Sequence, residues 1–165
     1  MTTVATVNVT TPSEREIVMT RMFDAPRAVV YDCYTKTELL RRWMQPEGWA
    51  FIQCDNDLKV GGAFHWRWRN EQGQEIGIRG IYSEIVRPQQ ITRTEIFDFN
   101  SMQSESFGTL SLAEQNGQTT MTTRVLYASQ EARDQALSFC ADRDAVSAKL
   151  DALIAELKRA QTDAA

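Results

Sequence analysis

Two oppositely charged side chains, Arg93 and Glu95, lie two residues apart in the segment Gln90 to Asp98, whose pattern predicts a β-strand. Residues at this spacing share one face of a strand. A carboxylate beside a guanidinium could orient a polar group of a bound molecule or take part in proton transfer. Burying both charges is costly unless they pair with each other or with a ligand. The sequence leaves two interpretations open: the pair lines a cavity, or it lies on a solvated face.

Other residue types that commonly act in catalysis or metal binding are scarce. His65 is the single histidine, so a Ser-His-Asp triad, a Cys-His dyad or a two-histidine metal site would each depend on it. The cysteines Cys33, Cys54 and Cys140 are odd in number and have no CxxC spacing, which indicates neither a disulfide framework nor a zinc site. We therefore predict no metal, no cofactor and no catalytic set.

An aromatic stripe lies in the segment Ala63 to Arg69, where apolar and polar residues alternate. This period of two places Phe64, Trp66 and Trp68 on one face of a strand, which we expect to point inward. Such a stripe either forms plain hydrophobic core or lines a cavity in which a flat ligand could stack.

Composition narrows the class of protein. The chain has 165 residues, of which 42% are hydrophobic and 24% charged, as is typical of one globular domain. A net charge of -4 argues against a nucleic-acid surface, which needs clustered Lys and Arg. We find no secretory signal at the N-terminus and no stretch of about 20 apolar residues that could span a membrane. A cytoplasmic, soluble protein is the expectation.

The first third of the chain predicts a strand followed by two short helices. The strand runs from Glu16 to Phe23, and Asp24 is placed to cap a helix whose first turn contains Pro26. A second short helix ends at Trp43.

The remainder predicts antiparallel strands and a long helix. Strands follow one another from Trp49 to Tyr127, and the Asn116-Gly117 pair is a strong hairpin signal. One long helix is expected after Ser129, which is placed to cap it. The resulting order, β-α-α-β-β-β-β-β-β-α, is an α+β arrangement. We assign residues 14–160 to a single domain and residues 1–13 to a flexible tail or an added edge strand.

Four segments with fixed spacing carry a family resemblance. They are Phe23-Asp24-Ala25-Pro26, Leu39-Leu40-Arg41-Arg42-Trp43, Asp57-Leu58-Lys59-Val60-Gly61-Gly62 and Gly80-Ile81-Tyr82-Ser83-Glu84-Ile85-Val86. Together they resemble the activator of heat-shock protein 90 ATPase homologue-like family, within the START-like, helix-grip superfamily that includes polyketide cyclase-like proteins and is also called SRPBCC. The resemblance implies a curved antiparallel sheet wrapped around a long C-terminal helix, with a hydrophobic cavity between them.

The chain departs from similar proteins at two places near that cavity. Similar proteins tend to place apolar or aromatic side chains where Arg93 and Glu95 stand. They usually carry small residues and a large apolar side chain near the middle of the helix, where this chain reads Ala141-Asp142-Arg143-Asp144-Ala145-Val146. The resemblance and the strand pattern together give the candidate ligand-binding residues, which are Phe64, Trp66, Trp68, Arg93, Glu95, Cys140, Asp142 and Val146.

The preferred functional hypothesis is binding of a small apolar or amphipathic molecule between sheet and helix. One alternative is a protein-interaction module that activates a chaperone ATPase, as the family name implies. A second alternative is an enzyme of the polyketide cyclase or aromatase type, for which Arg93, Glu95 and Asp142 would be the candidates to move protons. Either a monomer or a homodimer is compatible with the sequence.

Overall fold

The computed structural model of the chain describes residues 7–99, 102–138 and 143–163. The described helices are α1 (Arg27–Thr35), α2 (Thr37–Trp43), α3 (Gln130–Ser138) and α4 (Arg143–Asp163). The described strands are β1 (Asn8–Thr10), β2 (Glu16–Phe23), β3 (Trp49–Asn56), β4 (Ala63–Asn70), β5 (Glu75–Val86), β6 (Gln90–Phe99), β7 (Met102–Gln115) and β8 (Gln118–Tyr127).

These strands form one curved antiparallel sheet in the order β1-β2-β8-β7-β6-β5-β4-β3. The strands from β3 to β8 pair with their neighbours in sequence, and β2 then joins the free side of β8. The short strand β1 pairs with β2 at one edge. The predicted α+β helix-grip fold is confirmed.

The hairpin between β7 and β8 follows from its two turn residues. Asn116 has φ 54° and Gly117 has φ 76°, so both adopt the left-handed conformation that a two-residue hairpin turn requires. Gln115 and Gln118 are directly paired on either side of this turn. The predicted hairpin is therefore confirmed, and it fixes the register of two central strands.

The hydrophobic core lies on the inner face of the sheet. Phe64, Trp66 and Trp68 are 1%, 2% and 8% exposed, so the predicted inward direction of the aromatic stripe is confirmed. Leu150 and Leu153 of α4 belong to the same buried cluster, and α4 also packs against α1 and α2. The helices therefore cover the inner face.

The predicted cap of the first helix is wrong. Helix α1 begins at Arg27 with Pro26 as its N-cap, and no side chain of the cap residue hydrogen-bonds there. Asp24 is instead exposed and lies 3.5 Å from the Lys158 ammonium group. The physical reason is that the Glu114 carboxylate on β7 accepts the Arg27 N–H at 2.7 Å, so a distant residue supplies the anion at the helix start.

The predicted C-terminal helix is described as two helices, α3 and α4, and residues 139–142 between them lie outside the described part. Ser129 does cap α3, because its hydroxyl accepts the Ala132 N–H at 3.1 Å. Helix α3 packs against β8 and β2, whereas α4 packs against α1 and α2. In the described ranges, every helix is too short or too polar to cross a membrane.

Candidate functional site

A cavity of about 580 Å³, here called the central cavity, lies between the inner face of the sheet and helices α2 and α4. Most of the side chains around it are apolar or aromatic, and they come from both the sheet and the helices. The apolar ones include Met19, Tyr34, Trp43, Met44, Pro46, Trp49, Trp66, Ile76, Ile91, Phe99, Leu110, Met121, Val146 and Leu150.

Arg93 and Glu95 form an ion pair in the wall of the central cavity. The Arg93 Nε donates to Glu95 Oε1 at 2.8 Å, and the two side chains are 22% and 14% exposed. The Arg93 guanidinium also lies over the rings of Phe64 and Trp66, 4.4 and 5.0 Å from their centres. The aromatic faces thus hold the cation in place from one side while the carboxylate holds it from another.

The neighbouring strands make room for this pair. On β7, Gly108 is directly opposite Arg93, and Ser106 is opposite Glu95. A Cβ atom at Gly108 would lie 3.4 Å from Glu95 Oε1, so the glycine leaves space into which the carboxylate extends. The Ser106 hydroxyl lies 3.4 Å from Glu95 Oε2 and donates a long hydrogen bond to it.

A second ion pair, which the sequence analysis missed, borders the same cavity. Arg21 on β2 is 4% exposed, pairs with Asp151 on α4, and lies 4.2 Å above the Phe23 ring. A signal for it exists in the sequence, because Arg21 shares the inward strand positions of Ile17 and Phe23. A charged residue at an inward position indicates a buried partner.

The structure brings together some of the predicted site residues. Trp66, Arg93, Glu95 and Val146 line the central cavity.

The other predicted residues are placed elsewhere or are not described. Phe64 and Trp68 are buried in the core beside the cavity and do not line it. The predicted ligand contacts Cys140 and Asp142 lie outside the described residues. Trp43 at the end of α2 and Trp49 at the start of β3, which were not among the candidates, do line the cavity.

One buried thiol and two buried phenol groups favour their neutral forms. Burial raises the pKa of the Cys33 thiol to about 12 and also raises the pKa of Tyr34, which lines the cavity. Burial likewise raises the pKa of the Tyr82 hydroxyl. A neutral thiol is a poor nucleophile, so Cys33 is unsuited to covalent catalysis. Within the described ranges, no group of three or more His, Cys, Asp or Glu side chains is arranged to hold a metal ion.

A second, smaller cavity of about 410 Å³ lies between the sheet and α3. It shares Glu95 and Phe99 with the central cavity. Ser104 lines this smaller space, and its buried hydroxyl has no hydrogen-bond partner among the described atoms. Glu95 therefore lies at the boundary of two cavities.

The solved structures that resemble this chain have the same fold. A protein from Rhodobacter sphaeroides is 24% identical with a TM-score of 0.83, and the match covers 92% of this chain and 99% of that one. A protein from Mycobacterium smegmatis is 21% identical with a TM-score of 0.78, covering 90% and 96% of the two chains. A protein from Staphylococcus epidermidis is 23% identical with a TM-score of 0.74, covering 88% and 93%.

The search of curated proteins gave no match. The family described as Activator of Hsp90 ATPase homolog 1-like protein matches residues 24–159, which include helix α1, every strand from β3 to β8, and the Arg93–Glu95 pair. The chain belongs to the Activator of Hsp90 ATPase homolog 1-like family.

Proposed function

We propose that this protein binds a small, largely apolar molecule in the central cavity. The observation that carries the proposal is a partly open cavity of about 580 Å³ with a mostly apolar lining and few polar groups. Ligand sites in proteins typically have volumes of roughly 300–1,000 Å³ and this kind of lining. A common fold does not carry one chemistry, so the proposal rests on the cavity rather than on the family name.

The chemistry of the lining favours a flat or branched hydrocarbon body. Trp43, Trp49 and Trp66 offer aromatic surfaces, and Met44 and Met121 offer flexible thioethers that adapt to different shapes. Removing apolar ligand surface from water stabilises such a complex by about 25 cal/mol for each Å² buried.

The wall formed by the segment between α2 and β3 is held in position before any ligand arrives. The Trp68 Nε1 donates to the Met44 carbonyl at 2.8 Å, and the Lys149 ammonium donates to the Gln45 carbonyl at 2.8 Å. Met44 and Pro46 of this segment line the cavity. Preorganisation of this kind lowers the entropic cost of binding.

The fluorescent probe N-phenyl-1-naphthylamine tests the proposal. We expect its emission to rise on addition of wild-type protein and the affinity to fall in Val146→Trp, because Val146 lines the cavity and a larger ring there would fill it. Ala155→Trp is the matched control, since Ala155 is exposed on the same helix.

The difference in probe affinity between the wild type and the two variants decides the outcome. We expect about a tenfold or larger loss of affinity in Val146→Trp, which corresponds to about 1.4 kcal/mol, and wild-type affinity in Ala155→Trp. Equal affinities in all three proteins would overturn the proposal, as would the absence of any probe binding to the wild type.

A further inference from the structure

We propose that the natural ligand is uncharged and carries a neutral hydrogen-bonding group, such as a carboxamide or a hydroxyl, that docks against Arg93 and Glu95. This inference rests on the proposed function and specifies the class of molecule that the central cavity accepts.

The first argument is the balance of charge around the cavity. Among the described residues that line it, the charged ones are Arg21, Arg93 and Glu95. Arg93 and Glu95 neutralise each other, and Arg21 is neutralised by Asp151. The described lining therefore presents no net charge to a ligand.

An ionised ligand would gain little from such a lining. A carboxylate near Arg93 would also lie near Glu95, so repulsion from one partner offsets attraction to the other. The ion would still lose its hydration on leaving water, and this loss is costly for a poorly paired charge. The cavity consequently disfavours fatty acids, other carboxylates and amines.

The second argument is the hydrogen-bonding capacity that the pair retains. A guanidinium has five N–H donors; the bond from Nε to Glu95 Oε1 uses one of them, and Arg93 also hydrogen-bonds the Tyr82 hydroxyl, so donors still remain for a ligand. At Glu95 Oε2, the Ser106 hydroxyl is at 3.4 Å, which is long for a bond between two oxygens. A donor and an acceptor thus lie side by side, and this pattern is complementary to an amide or a hydroxyl.

The third argument is that the donors are fixed in place. The Arg93 guanidinium lies over the rings of Phe64 and Trp66, and both aromatic residues are almost fully buried. A stacked guanidinium loses less conformational freedom when a ligand binds than a free one does. The pair is therefore a preorganised subsite in an otherwise apolar wall.

Displacement of N-phenyl-1-naphthylamine from wild-type protein by three naphthalenes of similar shape tests this inference. The competitors are 2-naphthamide, which is neutral and hydrogen-bonding, 2-naphthoate, which is ionised at neutral pH, and 2-isopropylnaphthalene, which is apolar. We expect the amide to bind about tenfold more tightly than either of the others, the value of one good hydrogen bond of about 1.4 kcal/mol.

The wild-type series separates the inference from the proposed function. If the probe binds but the amide has no advantage over 2-isopropylnaphthalene, or 2-naphthoate binds as tightly as the amide, the uncharged-ligand inference is overturned and the proposed function stands. If the probe does not bind, both fail.

The variant Glu95→Gln sharpens the test, because glutamine can still accept from Arg93 Nε but no longer neutralises it. We expect the preference to shift by about tenfold toward 2-naphthoate, since the cavity gains one unbalanced positive charge. Glu75→Gln is the matched control, as Glu75 pairs with Arg67 on the opposite face of the sheet. An unchanged preference in folded Glu95→Gln overturns the inference, and the wild-type series decides it if that variant does not fold.

Discussion

The two faces of strands β4, β5 and β6 use the same residue types in different ways. On the inner face, Arg93 pairs with Glu95 at 2.8 Å, and on the outer face Arg67 pairs with Glu75 at 2.8 Å. The Glu95 side chain is 14% exposed, whereas that of Glu75 is 35% exposed. Because successive residues of a strand point to opposite faces, a shift of one position decides whether such a pair borders a cavity or faces water.

The surroundings of the two pairs explain what each can do. Glu75 accepts hydrogen bonds from Arg69 and Arg67, and the bond from Arg69 is the main reason that the pKa of its carboxyl is lowered. This carboxylate is bracketed by cations in water, where ion pairs contribute little to stability. Arg93 is stacked on two buried rings, so its pair is part of the cavity wall.

The largest loss of stability is expected from breaking the Arg93–Glu95 pair on the inner face. Arg93→Met leaves Glu95 without its partner in an apolar wall, and we expect a loss of about 3 kcal/mol in the free energy of unfolding, near the lower end for buried pairs because the cavity leaves both side chains partly accessible. The double variant Arg93→Met/Glu95→Gln should lose less than Arg93→Met alone. Urea unfolding measures all of these values.

Arg67→Met is the outer-face control for this experiment. It should change the free energy of unfolding much less than Arg93→Met does. Equal losses in the two single variants would remove the distinction between the faces.

The fold could be predicted from sequence because its signals are local and repeated. The alternation through Phe64, Trp66 and Trp68 correctly predicted the inner face of the sheet, and the Asn116-Gly117 pair correctly predicted the hairpin. Both patterns could be interpreted because they depend only on residues that are neighbours in sequence. The start of α1 was predicted wrongly because the group at its N-terminus, Glu114, is 87 residues away along the chain.

The candidate site was harder to predict than the fold. The shared face of Arg93 and Glu95 followed from their spacing, and both line the central cavity. Arg21 was missed because its partner Asp151 is 130 residues away, and Trp43 and Trp49 were missed as lining residues because α2 reaches the cavity only through tertiary packing. Local periodicity does not reveal such contacts.

An intermediate loss of stability is expected from adding a methyl group at Gly80 on the inner face, where the backbone of β6 lies very close. A Cβ atom at Gly80 would lie 1.8 Å from the Thr94 carbonyl oxygen and 2.9 Å from the Phe64 ring, so Gly80→Ala forces β5 and β6 apart. We expect a loss of about 1–3 kcal/mol in the free energy of unfolding, measured by urea denaturation.

Gly77 on the outer side of the same strand is the matched control. A Cβ atom there would have Arg67 Cγ at 3.5 Å as its nearest neighbour, an ordinary contact, so Gly77→Ala should stay within about 0.5 kcal/mol of wild type. A larger loss for Gly77→Ala than for Gly80→Ala would contradict the packing described for β5.

The smallest expected effect is a loss of stability at alkaline pH. Burial raises the pKa of Cys33 from 9.0 to about 12, and it also raises the pKa of Cys54, Tyr31 and Tyr82. The folded protein keeps these protons when the unfolded chain has released them, so stability is complete below pH 9.0 for Cys33 and falls as the pH rises toward about 12.

The melting temperature should therefore decline above pH 9.0, and the decline should be shallower in Cys33→Ala. Wild type and Cys33→Ala are compared at neutral and alkaline pH by circular dichroism. Parallel declines in the two proteins would show that Cys33 does not contribute to alkaline instability.

Methyl NMR during a titration with 2-naphthamide would locate the bound ligand directly, because it compares the two faces of the sheet in one sample. Ile76, Ile91 and Leu110 line the central cavity, whereas Ile81 and Leu126 are exposed large side chains. We expect saturable shifts and intermolecular NOEs at the first three residues and none at the other two. Shifts confined to Ile81 and Leu126, or no shifts at any of these methyl groups, would contradict this expectation.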